Sequence, residues 1–210
     1  MKILITGATG YIGAHYVKVA ADHGHEIVAT DFNFKQNNIE KYSSQIIDWD
    51  FRKPSPMKVS VDKVVHIGAM GSVPLSVKDP WLYYETNVVG TKNVIDFADC
   101  DHFVYCSTGS AFDPAASPYA TTKYGGELLT KQFKENHSLV RFYNVCGNNG
   151  FNKFDDKYSH LIRKAAAVAN GKFDTLEIFG TDYDTRDGTC IRNYTHVTDI
   201  VDSLQKVVEN

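Results

Sequence analysis

Seven residues near the N-terminus, Gly7-Ala-Thr-Gly-Tyr-Ile-Gly13, restrict the fold of this chain more than any other stretch. They follow directly on Lys2 to Thr6, a short apolar run that reads as a buried strand. They open Tyr11 to about Asp22, where apolar residues recur at helical spacing. Strand, glycine turn and helix in that order bring backbone N–H groups and the positive end of a helix to one place, where a pyrophosphate can sit. Gly7, Gly10 and Gly13 permit the tight turn and the close approach of backbone to ligand. The second strand, Glu26 to Thr30, runs into Asp31, placed to grip the hydroxyls of an adenosine ribose. A carboxylate there repels a 2′-phosphate, which favours NAD over NADP.

The remaining order of elements extends this start into a sheet. Gln45 to Asp48 and Lys63 to Ile67 read as short strands, Pro80 to Ala98 as a long helix and His102 to Cys106 as a strand. Tyr119 to Asn136 reads as a helix and Leu139 to Phe142 as a strand. Such alternation predicts an α/β fold of Rossmann type, a doubly wound parallel sheet with ligands at the carboxyl ends of its strands. Past Asn144 the texture changes to a polar loop, then Lys157 to Asn170 as a helix stopped by Gly171. Residues 1–147 are therefore expected to form the cofactor-binding domain with the catalytic groups, and 148–210 a small, incomplete substrate-binding region.

Composition narrows the partners. The net charge of −3 and pI near 6.2 provide no basic field for nucleic acid or an anionic membrane. No apolar run is long enough for a signal peptide or a membrane span, so a cytoplasmic protein is expected. Cys100, Cys106, Cys146 and Cys190 form no C-x-x-C pair and read as reduced thiols, not as disulfides or metal ligands. His23-Gly-His25 reads as a helix-ending turn, so no metal site is expected.

The chemistry points to Ser117-Pro-Tyr119-Ala-Thr-Thr-Lys123. Tyrosine and lysine four apart share one helix face, so a phenol and an ammonium can converge on one substrate atom. Free tyrosine has a pKa of about 10, and using it as a base near neutrality means stabilising the phenolate by roughly 4 kcal/mol. A fixed Lys123 cation and a positively charged nicotinamide ring would both contribute. A hydroxyl partner is expected at the end of the strand His102 to Cys106, where Ser107 and Thr108 stand. Ordinary capping of loop backbone suits Ser107 better than Thr108.

The glycine turn, Asp31 and Tyr119-x-x-x-Lys123 together resemble the extended branch of the short-chain dehydrogenase/reductase family, the NAD-dependent epimerases and dehydratases. The stretch Ile178-Phe-Gly-Thr-Asp-Tyr-Asp-Thr-Arg-Asp-Gly-Thr-Cys-Ile-Arg192-Asn-Tyr-Thr-His196 is most similar to the UDP-galactose 4-epimerases of that family, and similarity runs along essentially the whole chain. The resemblance implies a Thr108–Tyr119–Lys123 catalytic set, NAD as cofactor and a UDP-sugar as substrate. The reaction it implies interconverts UDP-glucose and UDP-galactose through a transient 4-keto intermediate. It further implies cofactor contacts from Tyr11, Ile12, Asn33, Asp50, Phe51, Gly68, Ala69, Asn87 and Tyr143, besides the glycines, Asp31 and the dyad. Substrate contacts are implied for Thr108, Asn144, His160, Leu161, Phe179 and Arg192. A homodimer is implied through the helices at Trp81–Ala98 and Tyr119–Asn136. Dehydratase relatives follow the threonine with Asp-Glu, whereas here Gly109-Ser110 follows, which removes the proton carriers for elimination. Other departures are a shorter Thr108-to-Tyr119 segment, Phe112-Asp113 in place of Tyr-Gly, and His160 where an asparagine is usual. Family members also continue beyond the position of Asn210. Two other readings stay open: a non-catalytic NAD-binding scaffold, and another nucleotide-sugar oxidoreductase.

Overall fold

A computed structural model describes residues 1–31, 38–148 and 160–210. Six strands, β1 (Lys2–Thr6), β2 (Glu26–Asp31), β3 (Gln45–Asp48), β4 (Val59–His66), β5 (Ala98–Thr108) and β6 (His137–Phe142), form one sheet in the order β3-β2-β1-β4-β5-β6. Every pairing is parallel. The chain leaves β1 toward one edge, returns, and continues from β4 toward the other. The strand order therefore reverses between β1 and β4, and their carboxyl ends bound the crevice where ligands of such sheets bind.

Both faces are covered. Ile3 and Ile5 point into one core with α1 (Tyr11–Asp22) and α7 (Val197–Glu209), while Leu4 points to the opposite core with Val94 and Phe97. This period-two alternation within an almost wholly apolar strand is what a strand buried on both sides requires. The helix on the second face runs from Pro80 to Phe97 as α3 (Pro80–Tyr84), a π-helical turn at Glu85–Val89, and α4 (Gly90–Phe97). It is preceded by α2 (Val73–Lys78). Beside it lies α5 (Pro118–Phe133), which starts where Ser117 Oγ accepts the Ala120 N–H at 3.1 Å and Pro118 fills the first turn.

The later segment adds α6 (Leu161–Ala169) and a two-stranded parallel pair, β7 (Asn144–Cys146) with β8 (Tyr194–His196). Gly171, at φ +68°, ends α6 as expected. The α7 helix packs on α1, although it lies in the segment that the sequence assigns to the substrate region.

Backbones meet closely at the β1–β4 crevice. A Cβ added to Gly7 would fall 2.7 Å from the Gly68 Cα, and one added to Gly13 would fall 2.0 Å from the Gly7 carbonyl oxygen. Both neighbours are backbone, so a methyl group can enter only by moving the turn. Gly13→Ala should destabilise the protein by about 1–3 kcal/mol. Gly71→Ala, where an added Cβ meets nothing within 4 Å, should stay within about 0.5 kcal/mol of wild type. Thermal unfolding of the two variants checks this, and equal midpoints would contradict the packing described.

Candidate active site

The end of β5, the start of α5 and the β1–β4 crevice together make the site. Pro118 and the Ser117 cap start α5 so that Tyr119 lies in its first turn and Lys123 one turn on. Lys123 is 3% exposed, donates from Nζ to the Cys106 carbonyl of β5 at 2.7 Å, and lies 4.3 Å above the Tyr105 ring. One carbonyl and one aromatic face offset part of the cost of burying an ammonium. Burial still pushes the Lys123 pKa from 10.5 down to about 8, so it is charged at neutral pH. Burial raises the Tyr119 phenol above 10.0, and its hydrogen bond with Thr108 acts in the opposite direction. The ring of Tyr83 stands edge-on to that of Tyr119 at 6.4 Å between centroids. The structure thus places Thr108 at the end of β5, and Tyr119 and Lys123 one turn apart at the start of α5, as the spacing of those two predicts.

Of the two hydroxyls at the end of β5, Thr108, not Ser107, caps the loop backbone. Thr108 Oγ1 accepts the Ser110 N–H at 3.2 Å and so caps the following turn, as well as bonding Tyr119. Ser107 instead donates to Glu127 at 2.6 Å, and Glu127 accepts a bidentate pair from Arg141 at 2.8 and 2.6 Å. Ser107 faces the middle of α5 and leaves the loop backbone to Thr108 at the end of the strand. The Glu127 carboxyl is fully buried; burial pushes its pKa up, but the hydrogen bonds from Arg141 and Ser107 hold it below 4.5. Arg141 also lies 4.2 Å from the Phe112 ring, tying the short loop after β5 to this pair.

The crevice offers a surface of bare backbone. Gly7, Gly10 and Gly13 turn the chain into α1, which has no acidic residue in its first turn and Gly10 as its N-cap. An anion at the start of α1 meets N–H groups with no acidic side chain in the helix's first turn, which fits a pyrophosphate. Ala69 lies half-buried beyond Gly68 on the far side. Asp31 ends β2 with Oδ2 accepting from Thr9 N at 3.1 Å and Thr9 Oγ1 at 2.7 Å, which fixes the carboxylate beside the turn. Tyr11 donates to the Gly147 carbonyl at 2.6 Å and so ties the turn to the end of β7, while Ile12 packs against the core. Asp50 is held by Arg52 at 2.8 Å through both carboxylate oxygens. Phe51 is fully buried, its ring close to Gly68 and Gly90 and its carbonyl accepting from Asn93 Nδ2 at 2.9 Å. Asn87 clamps the backbone of Met70, accepting at 2.8 Å and donating at 3.1 Å. Asn33 lies outside the described residues.

The expected substrate contacts are less assembled. Tyr143 lies over Gly109, where an added Cβ would come within 2.5 Å of its ring. Asn144 opens β7 and donates to the Asn193 carbonyl at 3.1 Å, which brings it next to Arg192 along the chain. Arg192 is exposed and donates to the Ile191 carbonyl. His160 precedes α6 without a side-chain cap bond, Leu161 begins α6 half exposed, and Phe179 is 78% exposed. Nothing in their contacts joins His160, Leu161 or Phe179 to the dyad. Sequence reasoning missed Glu127, although it stands four residues after Lys123 on the same helix face; it also missed Tyr83. Among the described residues no group of three His, Cys, Asp or Glu side chains could hold a metal, and no helix is long and apolar enough to cross a membrane.

The model of the NAD dependent epimerase/dehydratase family matches residues 3–210. The chain belongs to this family. It is 31% identical over 232 residues to the UDP-glucose 4-epimerase of Halalkalibacterium halodurans, covering 97% of this chain and 69% of that one. The crystal structure of UDP-glucose 4-epimerase from Brucella ovis in complex with NAD is 27% identical, with a TM-score of 0.84 over 99% of this chain and 73% of that one. The Stenotrophomonas maltophila UDP-glucose-4-epimerase, at 24% identity and a TM-score of 0.86, shares the fold over all of this chain and 74% of its own.

In this family member the burial of Lys123 has a measurable signature. Below pH 8 both folded and unfolded chains hold the Lys123 proton, and its burial cost is full. Between about 8 and 10.5 the folded chain has released the proton while the unfolded chain still binds it, so the cost is relieved as pH rises. The stability of wild type relative to Lys123→Met should therefore grow from pH 8 to 10, by roughly 2 kcal/mol. Urea titrations of the cofactor-free proteins check this, and a difference that does not change with pH would contradict it.

Proposed function

We propose that this chain is an NAD-dependent UDP-sugar 4-epimerase that interconverts UDP-glucose and UDP-galactose. The observation that carries the reading is the convergence of Thr108, Tyr119 and a buried Lys123 beside a crevice walled by Gly7, Gly13 and Gly68. Gly7, Gly10, Gly13 and the start of α1 would hold the pyrophosphate of NAD, Asp31 its adenosine ribose, Asp50 and the Phe51 backbone its adenine, and Gly68, Ala69, Asn87 and Tyr143 its nicotinamide half. When bound, NAD supplies reversible oxidation at carbon 4 of the sugar.

The chain's own residues manage the proton. Tyr119 takes it from the sugar 4-hydroxyl, and Thr108, bonded to the phenol, holds the same oxygen in place. Lys123 contributes a fixed positive charge that favours the phenolate. The turn after Thr108, Gly109–Phe112, carries no carboxylate, so no group there can eliminate water from the resulting ketone. The sugar nucleotide would lie along β7 and the β8 approach, with Asn144, Phe179 and Arg192 around it and His160 and Leu161 at the start of α6. Residues 1–147 would hold the cofactor and the dyad, and 148–210 the partial substrate wall.

A cytoplasmic homodimer belongs to the same reading. Four free cysteines suit a reducing compartment. Trp81 at 77% exposure, Val89 at 45% and Leu128 at 46% leave apolar surface on the Pro80–Phe97 helix and on α5 that a second copy would cover. Trp81→Glu should halve the mass seen in sedimentation; an unchanged mass would contradict this interface.

Tyr119→Phe should abolish interconversion of UDP-glucose and UDP-galactose while calorimetry still finds NAD bound. Undiminished turnover would overturn the assignment, and NAD binding by wild type without affinity for any UDP-sugar would favour a non-catalytic role.

A further inference from the structure

His66, the last residue of β4, is a buried titratable group that the proposed chemistry leaves unused. It is ringed by Phe51, Phe103 and Tyr105 at centroid distances of 5.9, 6.1 and 5.6 Å. Both ring nitrogens are engaged, Nδ1 with Thr6 Oγ1 at 2.6 Å and Nε2 with Thr91 Oγ1 at 3.0 Å.

The neighbours fix which nitrogen carries the proton. Thr91 Oγ1 lies 2.7 Å from the Asn87 carbonyl, which can only accept, so the single Thr91 hydroxyl proton points there. Thr91 must then accept from His66, and Nε2 bears the hydrogen. Nδ1 is left as an acceptor, and the Thr6 hydroxyl donates to it while accepting the Gly68 N–H at 3.1 Å. Asn87 also acts through its side chain, a group separate from the carbonyl that Thr91 bonds. Its side-chain amide donates to Thr122 Oγ1 at 3.1 Å, and Thr122 donates to the Tyr119 carbonyl at 3.0 Å. Thr6, His66, Asn87, Thr91 and Thr122 are all buried.

We propose that His66 is a positioning residue whose Nε2–H tautomer joins the Gly68 wall of the crevice to the helix turn that carries Tyr119. Each link has one donor and one acceptor, and reversing any of them leaves two like groups facing each other in the interior, a cost the fold avoids. Severing the Thr6 link frees the Gly68 N–H and loosens the crevice wall. Severing the Thr91 link leaves the His66 Nε2–H without an acceptor and loosens the backbone that aims Tyr119. The neutral ring fits this task because burial, and then the charge of Lys123, push its pKa down to about 3.

The turnover part of the test rests on the epimerase reading; the other parts do not. Nitrogen-15 spectra of the folded protein should show His66 protonated at Nε2, bare at Nδ1 and unchanged from pH 5 to pH 9. A protonated Nδ1, or a titration within that range, overturns the proposal. Thr6→Val should weaken NAD binding about tenfold, and Thr91→Val should lower kcat about tenfold with KM for the UDP-sugar within about twofold. Thr6→Ser and Thr91→Ser, which keep the hydroxyl and lose a methyl group, should restore both values. Serine variants worse than the valine ones would show that packing alone matters and overturn the proposal. If wild type turns over no UDP-sugar, the epimerase reading fails, and the spectra with the NAD affinities of the Thr6 variants still decide the role of His66.

Discussion

The contact of bare backbone across the β1–β4 crevice is the constraint on which the rest of this structure depends. Gly7 faces Gly68, and Gly13 faces the Gly7 carbonyl, with no room for a single methyl group in either place. This close approach puts the start of α1 and the carboxyl ends of two parallel strands at one point. It does so only because the strand order reverses there. A side chain at Gly7 or Gly13 would have to push the facing backbone aside and so open the turn.

Chemistry is added from the second face. The α5 helix begins at a Ser-Pro cap and carries Tyr119, Lys123 and Glu127 at intervals of four, one face aimed at β5. Each makes a different bond to the end of that strand: Tyr119 to Thr108, Lys123 to the Cys106 carbonyl, Glu127 to Ser107. The strand end and helix start are therefore held in register by three polar contacts, two of them buried. Burial makes Lys123 costly to the fold, and the Cys106 carbonyl and the face of the Tyr105 ring are the groups that meet its charge.

Much of this was legible in the sequence because it is local. The glycine turn, the strands around it, the cap at Ser117 and the Tyr119–Lys123 spacing depend on neighbours within a few residues. The parts that escaped depend on distant partners. β5 runs from Ala98 to Thr108, well beyond His102 to Cys106, because pairing with β4 along Val59–His66 extends a segment that reads as polar at Asp99 and Asp101. The long helix contains a π turn at Glu85–Val89 that no periodicity announced. The loop cap falls to Thr108, and Ser107 bonds Glu127, because their directions at a strand end decide their partners. The partners of His66, Thr6 and Thr91, lie 60 and 25 positions away. The burial of Phe51 in the core, against Gly68 and Gly90, is set by partners distant in sequence. The substrate contacts are the least legible, since Phe179 and Arg192 stand exposed in segments with little regular structure.

The central claim is reversible oxidation at one carbon of a UDP-sugar, carried out by the Thr108–Tyr119–Lys123 set without net change in the cofactor. Its most direct measurement follows UDP-glucose bearing deuterium at carbon 4 by proton and deuterium magnetic resonance, with purified protein and NAD. The account predicts UDP-galactose that keeps the label at carbon 4, with no accumulation of reduced cofactor. Loss of the label to solvent, reduced cofactor formed in proportion to sugar consumed, or absence of the galacto product would contradict it.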